Sequence, residues 1–589
     1  MTRRAFVAGL LAALVVGTVL RTLWLRADPP TSGVGIVWHD EGAWVHNARN
    51  RALWNTWRTD QWNPVFIAPV FTALEYTAFE AFGVGTWQAR TVPVLSGLVA
   101  IGLLVAGLHA VGGRGAALIG AVLLATNYVF VMWNRAALLE STMIAFIVAS
   151  WGFYAMASRK PILGALAGAS AMMAWFSKAA AAFFIAALVM EACWTLWASR
   201  RADWAGAQRG SADWGLNPRK AADLETSPPH VRSAALWTLA GMALTAAVIA
   251  VAFVLPHWRE YQFYNWQMTV MRKPSYALAD IVMRASWLPV VQGLFSRTWL
   301  VVAGGSIAIM SIVLSWRESK PAERLLVFWV IVGFLELIAH DSGNERRYVM
   351  FIPAFVALAA ILAGSGRTLL PPKVPGVLAR WAAVPIFLLL AYIVNGSWVR
   401  VFNLDEIAVG NFKTTVRVSA AIAVIWTVSL LFRWRKIQQM ASGQRLAPAL
   451  VGVLLAIAVA FNLIEYGQWA AQAHDFNYRA SIEVGAIVPP GTLIQGKLAN
   501  GLSLDNRIRP IFIGNGFGNY VDRLQRDDVR YILTYTLPRV GYESGHDGRL
   551  ITELLERYPN RHDVASFEVD ETPAPDRATL IDKFPSARD

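Results

Sequence analysis

The chain has 589 residues, 56% of them hydrophobic and only 16% charged, a composition that excludes an ordinary soluble enzyme and fits a polytopic membrane protein. A net charge of +14 would suit nucleic-acid binding, but basic residues on cytoplasmic loops supply it more simply in a membrane protein, so no nucleic-acid partner is expected. The single cysteine, Cys193, rules out an intrachain disulfide and a cysteine metal cluster.

The first thirty residues, "MTRRAFVAGLLAALVVGTVLRTLWLRADPP", combine a basic start with an apolar run of about 20 residues, enough to cross a bilayer core. No clear small-x-small cleavage site follows, so a retained first span is expected. The next segment, 25–90, contains "VWHDEGAWVHNARNRALWNTW". Here Asp40 and Glu41 are adjacent acids beside His39. From Glu41 to Trp57 the residues Trp44, Ala48, Ala52 or Leu53, and Trp57 fall near one helical face, which predicts a helix lying in the membrane interface. A second interfacial element is expected over 66–82.

Further apolar runs follow near 91–111, 115–132, 138–157, 161–176, 179–198, 234–255, 297–315, 324–340, 347–365, 379–396, 415–432 and 447–466. With the first, at 5–24, they give roughly thirteen spans of bilayer length. With "MTRR" inside, the cytoplasmic connections become "GGRG", "SRKP", the 199–233 loop, "SWRESKPAER", "SGRTLLPPKVPGVLAR" and "RWRKIQQMASGQR". All are basic or basic-biased, as a cytoplasmic side requires. The opposite set carries the acids, histidines and tryptophans as well as arginines. The expected orientation is therefore N-terminus inside, C-terminus outside, in a membrane of bacterial cytoplasmic type.

Beyond the last span the pattern changes. "GTLIQGKLANGLSL", "RPIFIG" and "VRYILTYT" read as short strands, and "ITELLERYP" as a helix between strands. The fold class expected is an all-α polytopic membrane bundle over 1–469, with a small extracytoplasmic α/β domain over 470–589. The acidic end "EVDETPAPDRATLIDKF" shows no legible chemistry.

On this topology most notable polar groups fall on one side. They are His39, Asp40, Glu41 and His46, then Arg135 and Glu140 in "WNRAALLE", and Lys178 between two apolar runs. His257, Arg259, Glu260, Arg272 and Lys273 follow, then His340, Asp341, Glu345, Arg346, Arg347 and Tyr348 in "HDSGNERRYVMFIP". Charges near membrane depth are costly and usually face a cavity or a partner. A carboxylate there can take a proton from a hydroxyl. Clustered cations at headgroup depth can hold a lipid-linked phosphate as leaving group. The combination describes sugar transfer from a polyprenyl-phosphate carrier to an extracytoplasmic hydroxyl on a protein, lipid or cell-envelope glycan.

The sequence resembles the integral-membrane GT-C glycosyltransferases, in the bacterial branch related to protein O-mannosyltransferases and the lipid A aminoarabinose transferase. The likeness runs from about residue 5 to 365. It rests on "HDEGAWVHNAR", on the P…FG…R pattern at Asn63-Pro64, Phe82-Gly83 and Arg90, and on "WNRAALLESTMIAF", "GASAMMAWFSKAAAAFFIAAL" and "RRYVMFIPAFVALAA". The resemblance implies Asp40 as catalytic base, Glu41 as its helper and Glu140 as a second carboxylate near the site. It implies that Lys178 and Arg346 or Arg347, with Tyr348, meet the lipid phosphate; Arg135 and His340 complete the candidate substrate-binding set. Relatives continue with Gly-Pro where this chain has Ala179-Ala180, so the loop after Lys178 has its own shape.

Each assignment has a structural alternative. Asp40 could cap a helix, and Glu41 could favour its positive end. Arg135 and Glu140 could pair with each other. Lys178 could snorkel to the interface, and Arg346 and Arg347 could anchor headgroups. Most tryptophans read as interface belts. No metal-ligand spacing appears among the histidines, so no cofactor is expected; a divalent ion at Asp40 and Glu41 is the alternative. The competing function is a transporter or flippase of a lipid-linked sugar. It would call for midplane polar groups and repeats, and only Glu191 and Glu336 lie within apolar runs.

Overall fold

The computed structural model describes residues 2–31, 34, 36–210, 229–271, 276–284, 287–340, 345–372, 374–401, 412–496, 498–513, 517–535, 553–570 and 576–584. The candidates Arg272, Lys273 and Asp341 lie outside them, as does 211–228 of the long basic connection. The chain is a helical membrane bundle with a small five-stranded sheet near its C-terminus.

Every apolar run read from the sequence falls on a helix. Eight of the helices are long and apolar enough to cross a membrane, or up to ten if two bent pairs each count as one span. The difference from thirteen has three physical causes. Leu163–Ser177 is only 15 residues long. Pro321–Ala339 includes Glu323, Arg324 and Glu336. The runs 91–111 and 115–132 share one 41-residue helical stretch, Thr86–Thr126, broken at Gly113 (φ 74°, ψ −167°).

That stretch is a hairpin. A straight helix would put Leu108 and Gly120 about 18 Å apart at 1.5 Å per residue, yet a Cβ on Gly120 would sit 2.2 Å from a Leu108 methyl. The Gly113 conformation is open essentially to glycine alone, so the "GGRG" turn read as a loop between two spans is one. Gly115 and Gly364 then let the return arm approach the Ile352–Gly364 helix closely.

The labels used below are α1 (Arg3–Thr22), α2 (Asp40–Trp44), α3 (His46–Trp54), α4 (Pro69–Phe82), α5 (Thr86–Thr126), α6 (Tyr128–Trp133), α7 (Leu139–Ala157), α8 (Leu163–Ser177) and α9 (Ala182–Gly210). Short helices α2–α3 and α4 stand where interfacial elements were expected, all too short to span; α3 ends at Trp54 and buries its polar residues His46, Asn47, Arg49 and Asn50 as well as Ala48, so it does not show the one-sided apolar face read over 41–57. A fully buried Arg21 near the end of α1 donates to the carbonyls of Gly17, Leu124 and Ala125 at 3.0, 3.3 and 3.0 Å, and to Asn134 Oδ1 at 3.0 Å. One guanidinium thus ties α1 to the return arm of α5 and the turn after α6.

The connections read as basic and cytoplasmic meet at one end of the bundle. Lys320 donates to the carbonyl of Val111 at 2.5 Å. Arg367 pairs with Glu323 at 2.9 Å, and Leu370 bridges to Ser442. Described parts of the other set, from 37–90, 133–138, 177–178 and 345–347, meet around Asp40 and Glu41.

The C-terminal sheet has the order β2-β1-β3-β5-β4. Strands β1 (Leu493–Gln495), β2 (Arg509–Ile511) and β3 (Tyr531–Tyr535) pair in parallel, while β5 (Asp576–Asp582) runs antiparallel to β3 and to β4 (His562–Asp570). The three strands and the helix expected from sequence are present, the last at 553–557. The acidic tail supplies β5 and the end of β4, a strand that begins ahead of it at His562; Phe567, Val569, Ala578 and Leu580 belong to the sheet's apolar core.

Candidate active site

The first turn after α1 brings Asp40 and Glu41 to adjacent positions on α2, and the helix separates their fates. Glu41 is buried and fully engaged. Arg90, in the first turns of α5, meets it with two parallel bonds, Nε to Oε1 at 2.9 Å and Nη2 to Oε2 at 2.7 Å. The backbone N–H of Ala137 donates to Oε1 at 2.7 Å. Arg90 also donates from Nη1 to the carbonyls of Leu25 and Ala27 at 2.8 and 2.6 Å. The forked geometry suits a charge-assisted pair. Its place in the structure is to clamp α2 to the starts of α5 and α7.

Asp40 is more open, its side chain 30% exposed. Its Oδ2 accepts from Arg346 Nη2 at 2.5 Å. Arg346 comes from the short helical turn Glu345–Arg347, and its Nε lies 3.9 Å from Glu140 Oε1. Glu140, in the first turn of α7, also accepts from Lys178 Nζ. Lys178 sits at the break between α8 and the 3-10 turn Ala179–Ala181. Two acids and two cations from four separate segments therefore form one row, Asp40–Arg346–Glu140–Lys178. Arg347 is half-buried beside it.

The other sequence candidates fall around this row. Tyr348 is fully buried and packs against Phe334 and Phe351 with centroids 6.3 and 6.2 Å away. His340 Nδ1 lies 3.6 Å from Glu336 Oε1, one helical turn back, and 3.4 Å from the Tyr276 hydroxyl. Arg135 turns away: it donates to the carbonyls of Leu20, Arg21 and Trp24 at 3.0, 3.1 and 2.7 Å and lies over the Trp469 ring. It closes the C-terminus of α1, where cations are favoured, and does not pair with Glu140. Among the described residues, no group of three or more His, Cys, Asp or Glu is placed to hold a metal ion.

The C-terminal domain covers the α2–α3 side of the site. Arg49 donates Nε to the carbonyl of Ser503 at 2.9 Å and Nη2 to those of Asn506 and Ile508, both at 3.0 Å. Burial pulls this guanidinium down to about 9. His46 pairs with Asp60 at 2.9 Å and meets Asn500 at 3.2 Å. Asp60 in turn accepts from the backbone of Phe512 and the side chain of Asn519, each at 3.3 Å. A Cβ on Gly42 would fall 1.8 Å from the Asn500 carbonyl, so the domain's backbone rests directly on α2. Arg90 carried a sequence signal through the P…FG…R pattern and Arg49 as the last residue of "HDEGAWVHNAR", though neither was given a role there; Asp60 carried none.

Residues 67–216 match the model of the dolichyl-phosphate-mannose-protein mannosyltransferase family. No curated protein matches the chain by sequence. Among solved structures, ArnT from Cupriavidus metallidurans bound to undecaprenyl phosphate superposes with a TM-score of 0.52 at 16% identity, covering 100% of this chain and 99% of that one. The archaeal oligosaccharyltransferase AglB from Archaeoglobus fulgidus, in complex with an inhibitory peptide and a dolichol-phosphate, gives 0.46 at 13% identity over 94% of this chain and 71% of that one. The first superposition extends over both chains and identifies a shared fold.

Proposed function

We propose, for a chain with the GT-C fold of the integral-membrane glycosyltransferases, that it transfers a sugar from a polyprenyl-phosphate carrier to a hydroxyl acceptor, with inversion at the anomeric carbon and with its site on the extracytoplasmic side. The observation that carries this reading is the row in which Asp40 meets Arg346 and, through it, Glu140 and Lys178. The family match over 67–216 and the undecaprenyl phosphate bound to the ArnT neighbour support the class of donor.

In this reading Asp40 takes the proton of the acceptor hydroxyl as its oxygen attacks the anomeric carbon. The bond from that carbon to the phosphate oxygen breaks on the opposite face, and its electron pair leaves with the polyprenyl phosphate. Arg346, Arg347 and Lys178 offset the charge gained by the phosphate. Glu140 holds Lys178 and faces Arg346, keeping both cations in place before the donor arrives. Without donor, Arg346 is spent on Asp40; a phosphate that draws Arg346 away frees the base, so donor binding precedes activation of the acceptor.

The test is Asp40→Asn in purified, detergent-solubilised protein, supplied with a panel of polyprenyl-phosphate sugars. The variant should keep its fold and donor binding and lose about 10²–10⁴-fold in transfer, the usual worth of a positioned base. Near-full turnover by the variant would remove Asp40 from the role.

A further inference from the structure

One contact of Asp40 is unused by this scheme. His39, its neighbour in sequence, is buried against the C-terminal domain. Its Nδ1 lies 3.2 Å from the hydroxyl of Tyr535, the last residue of β3. Its Nε2 lies 3.7 Å from Asp40 Oδ1, the oxygen that Arg346 does not hold at 2.5 Å. The imidazole thus stands between the base and a tyrosine separated from it by 496 positions of chain. It is fixed on its remaining sides: the Trp38 ring meets it edge-on at 5.5 Å, and a Cβ on Gly501 would come within 2.8 Å of the His39 Cβ.

We propose that His39, oriented by Tyr535, receives the proton that Asp40 takes from the acceptor. The inference rests on the assignment of Asp40 as base and adds the C-terminal domain to the proton path. With Nδ1–H donating to the Tyr535 oxygen, Nε2 presents a lone pair to Asp40; which ring nitrogen bears the proton follows from the partner of the other. The acceptor O–H bond breaks as an Asp40 O–H bond forms. That bond then breaks as Nε2–H forms, leaving Asp40 ionised beside an imidazolium. The second transfer runs downhill on ordinary values, about 3.9 for an aspartic acid against about 6.5 for imidazole. The 3.7 Å separation exceeds hydrogen-bond reach, so the contact closes after the donor phosphate draws Arg346 off Oδ2. Asp40 shares the histidine's turn, Tyr535 comes from β3, and Arg346 stands beyond Asp40. Both His39 and Tyr535 are positioning residues, acting through Asp40.

The experiment is steady-state, multiple-turnover transfer against pH, in full-length protein, for wild type, His39→Gln, Tyr535→Phe and Asp40→Asn. Because His39 must be neutral to accept, the wild-type acid limb should lie in the imidazole range. His39→Gln should move that limb down toward the carboxylate range and lower the plateau about tenfold or more. Tyr535→Phe, which removes one oxygen and spares the packing, should shift the midpoint of the limb while leaving donor affinity unchanged. A His39→Gln protein with the wild-type rate and profile, or a Tyr535→Phe profile that superposes on wild type, overturns the relay. If Asp40→Asn alone abolishes transfer in that case, the base assignment stands and only the relay falls. If Asp40→Asn is active, the underlying reading fails first.

Discussion

Asp40 and Glu41 look interchangeable in the sequence, and the structure gives them opposite work. Asp40 has one oxygen beside Arg346 and remains partly open. Glu41 is closed in by Arg90 and a backbone amide. No local pattern separates them, because the deciding partner is 49 positions away. Removing one member of a buried pair strands the other, at a cost of about 3–5 kcal/mol. Glu41→Ala should therefore lower the unfolding temperature sharply, whereas Asp40→Asn should leave it near wild type; thermal unfolding in one detergent compares the two. A Glu41→Ala protein as stable as wild type would show that the clamp contributes nothing.

At the scale of the elements, apolar period and length located the long apolar helices but not the shorter Trp258–Asn265, Trp287–Arg297 and Phe476–Ile487, and "GGRG" marked a reversal that Gly113 makes in one residue. The helix α4 was also legible, at Pro69–Phe82 against the 66–82 expected. What it carries inward was not: Glu75 lies on its buried face, and neither carboxylate oxygen has a hydrogen-bond partner among the described residues. Burial first, and the charge of Glu41 second, push this carboxyl well above its ordinary range. The folded protein thus keeps a proton that the unfolded chain releases near pH ~4.3. Stability must fall as pH rises from there toward the folded value. Glu75→Gln removes that slope, so its advantage in unfolding temperature over wild type should grow between pH 5 and 8. A difference constant with pH would show that Glu75 does not titrate in the fold. The final hairpin escaped sequence reading for another reason. Phe567, Val569, Ala578 and Leu580 do alternate with polar residues, but acids and prolines between them resemble a solvated tail.

Across the whole molecule, the distribution of Lys and Arg sorted the connections into two sets; among the described residues, Lys320 meets Val111, Arg367 meets Glu323 and Leu370 meets Ser442 within one set, and Asp40, Arg346, Glu140 and Lys178 meet within the other. The way the C-terminal domain docks was beyond that argument. It depends on carbonyls of 503–508 meeting one guanidinium on α3, and backbone acceptors leave no mark in composition. Arg49→Ala would leave those carbonyls without their donor, at about 1–3 kcal/mol for each buried group unsatisfied. The domain should then detach more readily, seen as faster protease cleavage beyond residue 470 while the membrane part stays intact. Unchanged cleavage would place the grip elsewhere, in the Trp62–Phe512–Phe517 contacts.

Arg21 bears on biogenesis. Its acceptors lie on Gly17 of its own helix and on Leu124, Ala125 and Asn134, which a ribosome makes only a hundred or so codons later. Until they emerge, the first helix carries a guanidinium with one of its four final acceptors, and lipid offers no substitute. That helix must wait at the translocon or float its charged end to the surface, and it locks home when the hairpin arrives. The expected consequence is an insertion order in which the α5 hairpin completes the seat of α1.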